Sequence, residues 1–216
     1  LSITLGTDET TPLDMTTVFN TLANSGVRHD PIFITKVVGP SGEVIFQEKY
    51  NGTKVLDPQL ANTVTDMLRG VVTSGTGTGA RLNGFDAFGK TGTTENYGDA
   101  WFCGGTVKYT SCVWMGDPKA RTPMKRVGGR TVFGGTYPAS IWKQFMTGAL
   151  AGETNVMFPA PDKNLWPSSK YISDLGRGKG SPPITTTTLP PDPNLTVPSD
   201  EPPVPEVPPI PTASTP

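Results

Sequence analysis

The most informative segment of the chain is Gly89-Lys90-Thr91-Gly92-Thr93-Thr94, followed by Tyr97 and by Asp99-Ala100-Trp101-Phe102. Its first part contains the trimer K-T-G, which places an ammonium group and a hydroxyl on a predicted strand. At a strand edge beside a cleft, both groups can hold a substrate carboxylate. Gly92 has no β-carbon, so an extended peptide can lie there as an added strand, and the next backbone N–H can point at a developing oxyanion. The alternative is a chance K-T-G in a loop, because three residues alone are common.

Regular elements are predicted on both sides of this stretch. Strand-like segments are expected near Phe88–Thr93, Ala100–Cys103 and Ser111–Met115. Upstream, a hairpin is predicted from strands at 32–38 and 43–47, joined by the turn Gly39-Pro40-Ser41-Gly42. Helices are expected to begin at Pro12, Pro58 and near Pro138, each with apolar residues at helical spacing. Helices alternating with such strands predict an α/β (α+β) fold, an antiparallel sheet flanked by helices.

Composition divides the 216-residue chain near Ser181. Residues 182–216 hold 13 of the 23 prolines, four acids, no aromatic residue and no Lys or Arg. Such a segment lacks the apolar area to offset its ordering entropy, so a disordered tail is predicted. We predict a domain at 1–152, an extension at 153–181 and this Pro/Thr-rich acidic tail at 182–216.

Charge and composition also exclude several classes of protein. The tail carries −4, so the chain's net charge of −1 leaves +3 on the other 181 residues, without a basic run. That field is too weak to indicate nucleic-acid binding. No stretch approaches the roughly 18 apolar residues of a membrane span. One His and two Cys cannot form a four-ligand zinc site unaided, and no metal or cofactor is predicted. The chain begins Leu-Ser-Ile-Thr, and we expect a piece of a longer protein.

An alternative function follows from the residues Gly84–Thr91, which match the phosphate-loop formula G-x4-G-K-[ST]. That loop needs an apolar strand before it and a helix after it, so that amides and the helix dipole face the phosphates. Arg81-Leu82-Asn83 is not an apolar strand, and the residues from Gly92 onward start a helix poorly. A nucleotide-binding protein is therefore the less favoured hypothesis.

Two further patterns suggest nucleophilic catalysis, and each has a simpler interpretation. Ser140 and Lys143 form S-x-x-K on one helical turn, with hydroxyl and amine on the same face. Because no third orienting group is evident, an exposed helix start is the favoured interpretation. His29 beside Asp30 permits a triad with some serine, but a sole His before a strand is typical of a turn.

Two other features stay open on the sequence. The loop 75–79 can bind an anion through its amides or can simply connect a helix to a strand. Cys103 and Cys112 lie opposite each other if the turn centres on Val107-Lys108, and a disulfide there would suit an oxidising exterior. A shift of one residue in register would send the two side chains to opposite faces.

The residues that flank K-T-G resemble the transpeptidase domain of class A (bifunctional) penicillin-binding proteins. Further blocks follow in the family's order: Leu5-Gly6-Thr7 with Thr11–Met15, Val71-Val72 with Gly75-Thr76-Gly77, Val113–Gly116, and Pro138 with Ile141-Trp142-Lys143. The resemblance covers about residues 1–151. The long tail is similar to those of actinobacterial members, mycobacterial ones especially.

The resemblance implies the penicilloyl-serine-transferase (β-lactamase/transpeptidase-like) fold, with only its C-terminal part present. It implies a D,D-transpeptidase that cross-links peptidoglycan through an acyl-serine and that β-lactams inhibit. By position, Lys90 keeps the site positive and, with Thr93, belongs to the catalytic residues. Thr91, Gly92, Thr93 and Thr94 bind the substrate, and the Thr93 amide is one oxyanion donor.

This sequence departs from the family pattern in one respect: no S-x-x-K and no second motif occurs upstream of Lys90. The nucleophile is therefore expected in an upstream segment of the same protein, and that segment is one implied partner. The others are the peptidoglycan stem peptide, β-lactams and, through the tail, cell-wall components. The implied location is the extracytoplasmic side of the membrane, with an anchor outside this chain. A D,D-carboxypeptidase and a non-catalytic cell-wall interaction module stay as alternatives.

Overall fold

Three helices begin where the sequence supplies a cap or an early proline. In this computed structural model, which describes residue 6 and residues 8–165, they are Pro12–Ala23 (α1), Pro58–Thr73 (α2) and Tyr137–Ala149 (α3). The Thr11 hydroxyl accepts from the Asp14 N–H at 3.1 Å, and the Asp57 carboxylate accepts from the Gln59 N–H at 2.9 Å. Both contacts satisfy amides that the first helical turn leaves unpaired. The predicted helix starts are confirmed.

A three-stranded antiparallel sheet forms the centre of the described region. The strands of that region are Val27–Arg28 (β1), Lys36–Val38 (β2), Val44–Gln47 (β3), Thr53–Lys54 (β4), Phe88–Thr93 (β5), Asp99–Gly105 (β6) and Thr110–Gly116 (β7). The central sheet has the order β5-β6-β7, and β1 with β4 and β2 with β3 form separate antiparallel pairs. Short 3-10 helices lie at Thr78–Ala80, Glu95–Tyr97 and Lys163–Leu165.

The upstream hairpin is shorter than the sequence predicts. The Gly39–Gly42 turn is confirmed, but β2 covers only Lys36–Val38 of the strand expected at 32–38. Its partner β3 has four residues, and the pairing shifts register between Val37 and Val38. The Glu48 N–H donates to the Thr35 carbonyl at 2.9 Å, but Glu48 already lies outside β3, which ends at Gln47. Ile32, Phe33 and Ile34 are residue types that favour strands, but β3 is too short to pair with them.

The two faces of the central sheet pack against different elements. Phe102 and Cys103 are adjacent in β6, so their side chains point to opposite faces. Phe102 stacks edge-on against Trp142 of α3 at 5.1 Å between ring centroids, and both rings are fully buried. On the other face, the Phe88 ring lies 5.8 Å from Phe19 of α1 and 5.2 Å from Phe158. The sheet is therefore sandwiched between helices, as expected for the α/β class.

Part of the predicted extension packs on the body. Phe158 is 6% exposed, and Gln59 of α2 exchanges two hydrogen bonds with the backbone of Asp162, at 2.7 and 2.9 Å. The division at residue 152 stays a prediction, and the tail at 182–216 lies outside the described residues. None of the helices in the described part is long and apolar enough to cross a membrane.

The two cysteines form a cross-strand disulfide, which settles the alternative that the sequence left open. Cys103 of β6 is the register partner of Cys112 in β7, and their sulfur atoms are bonded. The last pair before the turn is Gly105 with Thr110, so the turn centres on Val107-Lys108. Turn length thus sets the register that brings the two side chains to one face.

Replacing both Cys103 and Cys112 by Ala is expected to lower the free energy of unfolding by about 2–3 kcal/mol, because the bond closes a short loop in the unfolded chain. Urea denaturation with and without a reducing agent measures this difference. The reduced native chain should unfold at the same urea concentration as the double variant. The reducing agent should not change the stability of the variant. Equal stability of the oxidised native chain and the variant would contradict the prediction.

Candidate active site

Strand β5 displays its polar side chains on two faces. Lys90 is exposed and is the register partner of Cys103, whereas Thr91 is the partner of Phe102. Because successive residues of a strand alternate, Lys90 lies on one face and Thr91 and Thr93 lie together on the other. The Lys90 ammonium donates to the Thr91 carbonyl oxygen at 2.8 Å. One strand therefore carries an ammonium and two hydroxyls within four residues, and the ammonium turns to the strand's own backbone at Thr91.

Two loops contact the threonine hydroxyls. The Thr76 and Thr91 hydroxyl oxygens lie 2.7 Å apart. The Gly134 N–H donates to the Thr93 hydroxyl at 3.0 Å. Sequence reasoning missed Thr76 and Gly134 as site residues, since they lie 15 and 41 positions from their partners. The only signal for Thr76 is its place in a block that resembles the family.

Gly134 lies directly over the strand pair at Gly92. A β-carbon on Gly134 would lie 2.7 Å from the Gly92 carbonyl oxygen and 2.9 Å from the Gly92 nitrogen, and it would also overlap the Trp101 carbonyl. Gly92 and Trp101 are register partners in β5 and β6. Glycine is required at position 134 because backbone surrounds its α-carbon on this side.

The turn after β5 is fixed by Asp99. The Thr94 N–H donates to the Asp99 carbonyl at 3.0 Å, and the Thr94 hydroxyl accepts from the Asp99 N–H at 2.8 Å. The Trp114 indole donates to the Asp99 carboxylate at 3.0 Å. Asn96 and Tyr97 take left-handed backbone conformations, with φ of 58° and 60°. The hydroxyl of Thr94, which was expected to bind substrate, is thus engaged in holding this turn.

Within the described residues, β5 is at the edge of the central sheet, since the strand order is β5-β6-β7. Its outer side leaves backbone groups that can pair with an extended peptide. The K-T-G residues are in the middle of that edge. Strand pairing can therefore align a bound peptide with Lys90, Thr91 and Thr93.

The structure does not favour the phosphate-loop alternative at Gly84–Thr91. Phe88, Lys90 and Thr91 belong to β5, and the 3-10 helix after it is interrupted at the left-handed Asn96. Asp86 accepts from the Arg69 guanidinium at 2.7 Å and from the Phe158 N–H at 3.0 Å. The segment therefore links α2 to the residues around Phe158, and its amides do not surround an anion site in front of a helix start.

The structure favours the simpler interpretation of the remaining patterns. Ser140 is exposed in the first turn of α3, as the simpler interpretation predicts. Asp30 pairs with the Arg28 guanidinium at 2.7 Å and does not orient His29. In the glycine loop, the amides of Gly75 and Gly77 donate to carbonyls at the end of α2, at 2.9 and 3.0 Å, so they are not free to bind an anion.

Comparison with known proteins shows which family this chain matches. The family described as penicillin binding protein transpeptidase domain matches residues 1–123. Penicillin-binding protein 1A of Mycobacterium tuberculosis is 36% identical over 169 residues, which are 74% of this chain and 20% of that protein. Penicillin-binding protein 1F of Bacillus subtilis is 36% identical over 160 residues, covering 71% and 21%. The chain thus spans about a fifth of the length of these relatives.

The fold is also that of a solved relative. The structure of PonA1 from Mycobacterium tuberculosis in complex with penicillin V matches with a TM-score of 0.70 and 34% identity, over 75% of this chain and 44% of that one. The predicted penicilloyl-serine-transferase fold is confirmed, as is the resemblance to class A members. The chain belongs to the penicillin-binding protein transpeptidase family.

Proposed function

We propose that this chain forms the K-T-G wall of a D,D-transpeptidase active site that cross-links peptidoglycan and is blocked by β-lactams. The observation that carries the proposal is the pair of hydroxyls, Thr91 and Thr93, beside Lys90 on an edge strand. Because the chain spans about a fifth of its relatives, the activity belongs to the whole protein that contains it.

The two hydroxyls suit a carboxylate ligand. A threonine hydroxyl has one proton to donate and two lone pairs that accept. The Thr93 hydroxyl already accepts from the Gly134 N–H, which leaves its proton for an anion. The Lys90 ammonium adds positive charge on the same strand. The two hydroxyls can both donate to the terminal carboxylate of a D-Ala-D-Ala peptide or to the carboxylate of a penicillin, and the lysine charge attracts that carboxylate electrostatically.

The chemistry is an acyl transfer in two steps. A serine oxygen bonds to the carbonyl carbon of the penultimate D-Ala, the C–N bond breaks, and the departing D-Ala amine takes the serine proton. An acceptor amine then bonds to that carbon and loses a proton, and the ester bond breaks to restore the serine hydroxyl. The Thr93 N–H supplies one hydrogen bond to the oxyanion of each step. The serine comes from an upstream S-x-x-K segment, because none precedes Lys90 in this sequence.

The proposed location is the extracytoplasmic face of the cell membrane, where peptidoglycan is assembled. The Cys103–Cys112 disulfide supports it, because such bonds persist in oxidising compartments. The membrane anchor is proposed to lie outside this chain.

Incubating the whole protein with a D-Ala-D-Ala donor peptide and an amine acceptor tests the proposal. Mass spectrometry should detect release of D-Ala and a donor–acceptor amide, and benzylpenicillin should abolish both. Release of D-Ala with water as the only acceptor would favour a D,D-carboxypeptidase. A protein that releases no D-Ala, in which the K-T-G strand is a relic, would contradict the proposal.

A further inference from the structure

A third threonine, Thr76, contacts one member of the proposed anion-binding pair, Thr91 and Thr93. The Thr76 hydroxyl lies 2.7 Å from the Thr91 hydroxyl, and the two residues are 15 positions apart in the chain. Thr76 belongs to the loop 75–79, which follows α2, and Thr91 belongs to β5. The contact therefore joins a loop to the K-T-G strand.

The loop holds Thr76 in a fixed place. The amides on both sides of it, those of Gly75 and Gly77, are bonded to carbonyls of α2. A β-carbon on Gly77 would lie 3.0 Å from the Phe102 ring, and one on Gly135 would overlap the Thr76 carbonyl. Backbone hydrogen bonds and close packing thus restrain the residue on each side, and its hydroxyl is preorganised.

Two hydroxyls at this distance share one proton between them, so one donates and the other accepts. When an anion accepts from Thr91, the Thr91 oxygen is left to accept from Thr76. A chain of hydrogen bonds that runs in one direction also strengthens its members. We propose that Thr76 is a positioning residue that turns the Thr91 proton toward the substrate carboxylate, as the Gly134 N–H does for Thr93. This inference rests on the proposed function.

The test uses the whole protein and compares two compounds. Benzylpenicillin has a carboxylate, whereas its methyl ester keeps the reactive ring without that charge. Intact-mass spectrometry measures the second-order rate of acylation by each. The variants are Thr76→Val, which removes the hydroxyl at similar volume, and Thr76→Ser, which keeps it. Thr78→Val, an exposed threonine of the same loop, is the matched control.

Thr76→Val should reduce acylation by benzylpenicillin about fivefold to tenfold, the effect of one hydrogen bond, and acylation by the ester less than about twofold. Thr76→Ser keeps the hydroxyl, so the ratio of the two acylation rates should equal that of the native protein. Thr78→Val should also leave this ratio unchanged. Adding Thr76→Val to Thr91→Val should cause no further loss, because the two hydroxyls act in series.

Three results would overturn the inference. An equal loss with both compounds would show a merely structural role for Thr76, and no loss with either would show no role. In both cases acylation of the native protein would leave the proposed function intact. If the native protein is not acylated by benzylpenicillin, the proposed function fails and the role of Thr76 fails with it.

Discussion

Replacing Lys90 by Ala in the whole protein should reduce the rate of acylation by benzylpenicillin by roughly 100-fold or more, in the range found when one transition-state contact is removed. Lys90 is exposed on β5, and its ammonium is held 2.8 Å from the carbonyl of Thr91, the residue whose hydroxyl is part of the proposed carboxylate site. Its loss removes the positive charge that attracts the anion and that stabilises charge in the transition state. Intact-mass spectrometry at several penicillin concentrations gives the rate.

Lys108→Ala is the control for a general loss of charge, since Lys108 pairs with Glu153 at 3.2 Å in the turn between β6 and β7. It should leave acylation unchanged. The free energy of unfolding of both variants should lie within about 0.5 kcal/mol of the native value, because the side chains are at the surface. A Lys90→Ala protein that reacts at the native rate would exclude this lysine from the active site.

Gly134→Ala should both destabilise the protein and impair acylation. The added β-carbon would meet the backbone of Gly92 and Trp101, and backbone cannot move aside as a flexible side chain can. We expect a loss of about 1–3 kcal/mol in the free energy of unfolding, as in overpacked cores. Displacing the K-T-G strand by about 1 Å should reduce the acylation rate up to about 100-fold. Urea denaturation and acylation kinetics measure the two effects.

Gly70→Ala is the matched control, because a β-carbon there meets nothing within 4 Å inside helix α2. It should raise stability by about 0.5–1 kcal/mol, since Ala loses less backbone entropy than Gly in a helix. Acylation should not change. If Gly134→Ala behaved like Gly70→Ala, the close approach of the 134 loop to β5 would be refuted.

Local signals in the sequence predict the parts of the fold that local interactions determine. Strand β5 falls on the predicted residues Phe88–Thr93, and α2 begins at the predicted Pro58 after its Asp57 cap. The disulfide follows once the turn between β6 and β7 is known to centre on Val107-Lys108. In each case neighbours in sequence carry the relevant chemistry.

The parts that the sequence does not predict depend on contacts between distant segments. Strands β1 and β4 have two residues each, too few to show an alternating pattern. The bond from Phe158 to Asp86 joins residues 72 positions apart, and that from Gly134 to Thr93 joins residues 41 apart. Nothing in the local pattern of these residues identifies their partners. The hydroxyl network behind K-T-G therefore becomes visible only in three dimensions.

If this chain is one wall of an active site, as we propose, the nucleophile lies on an upstream S-x-x-K segment. Intact-mass spectrometry and peptide mapping test it directly, after excess benzylpenicillin is added to this chain alone and to this chain combined with an upstream S-x-x-K segment. Under this proposal we expect no adduct on this chain and one on the serine of the upstream segment, and that adduct should be lost when Lys90 is replaced by Ala. An adduct on this chain alone, with Ser140 the first residue to map, would contradict it, as would no adduct in the combined sample.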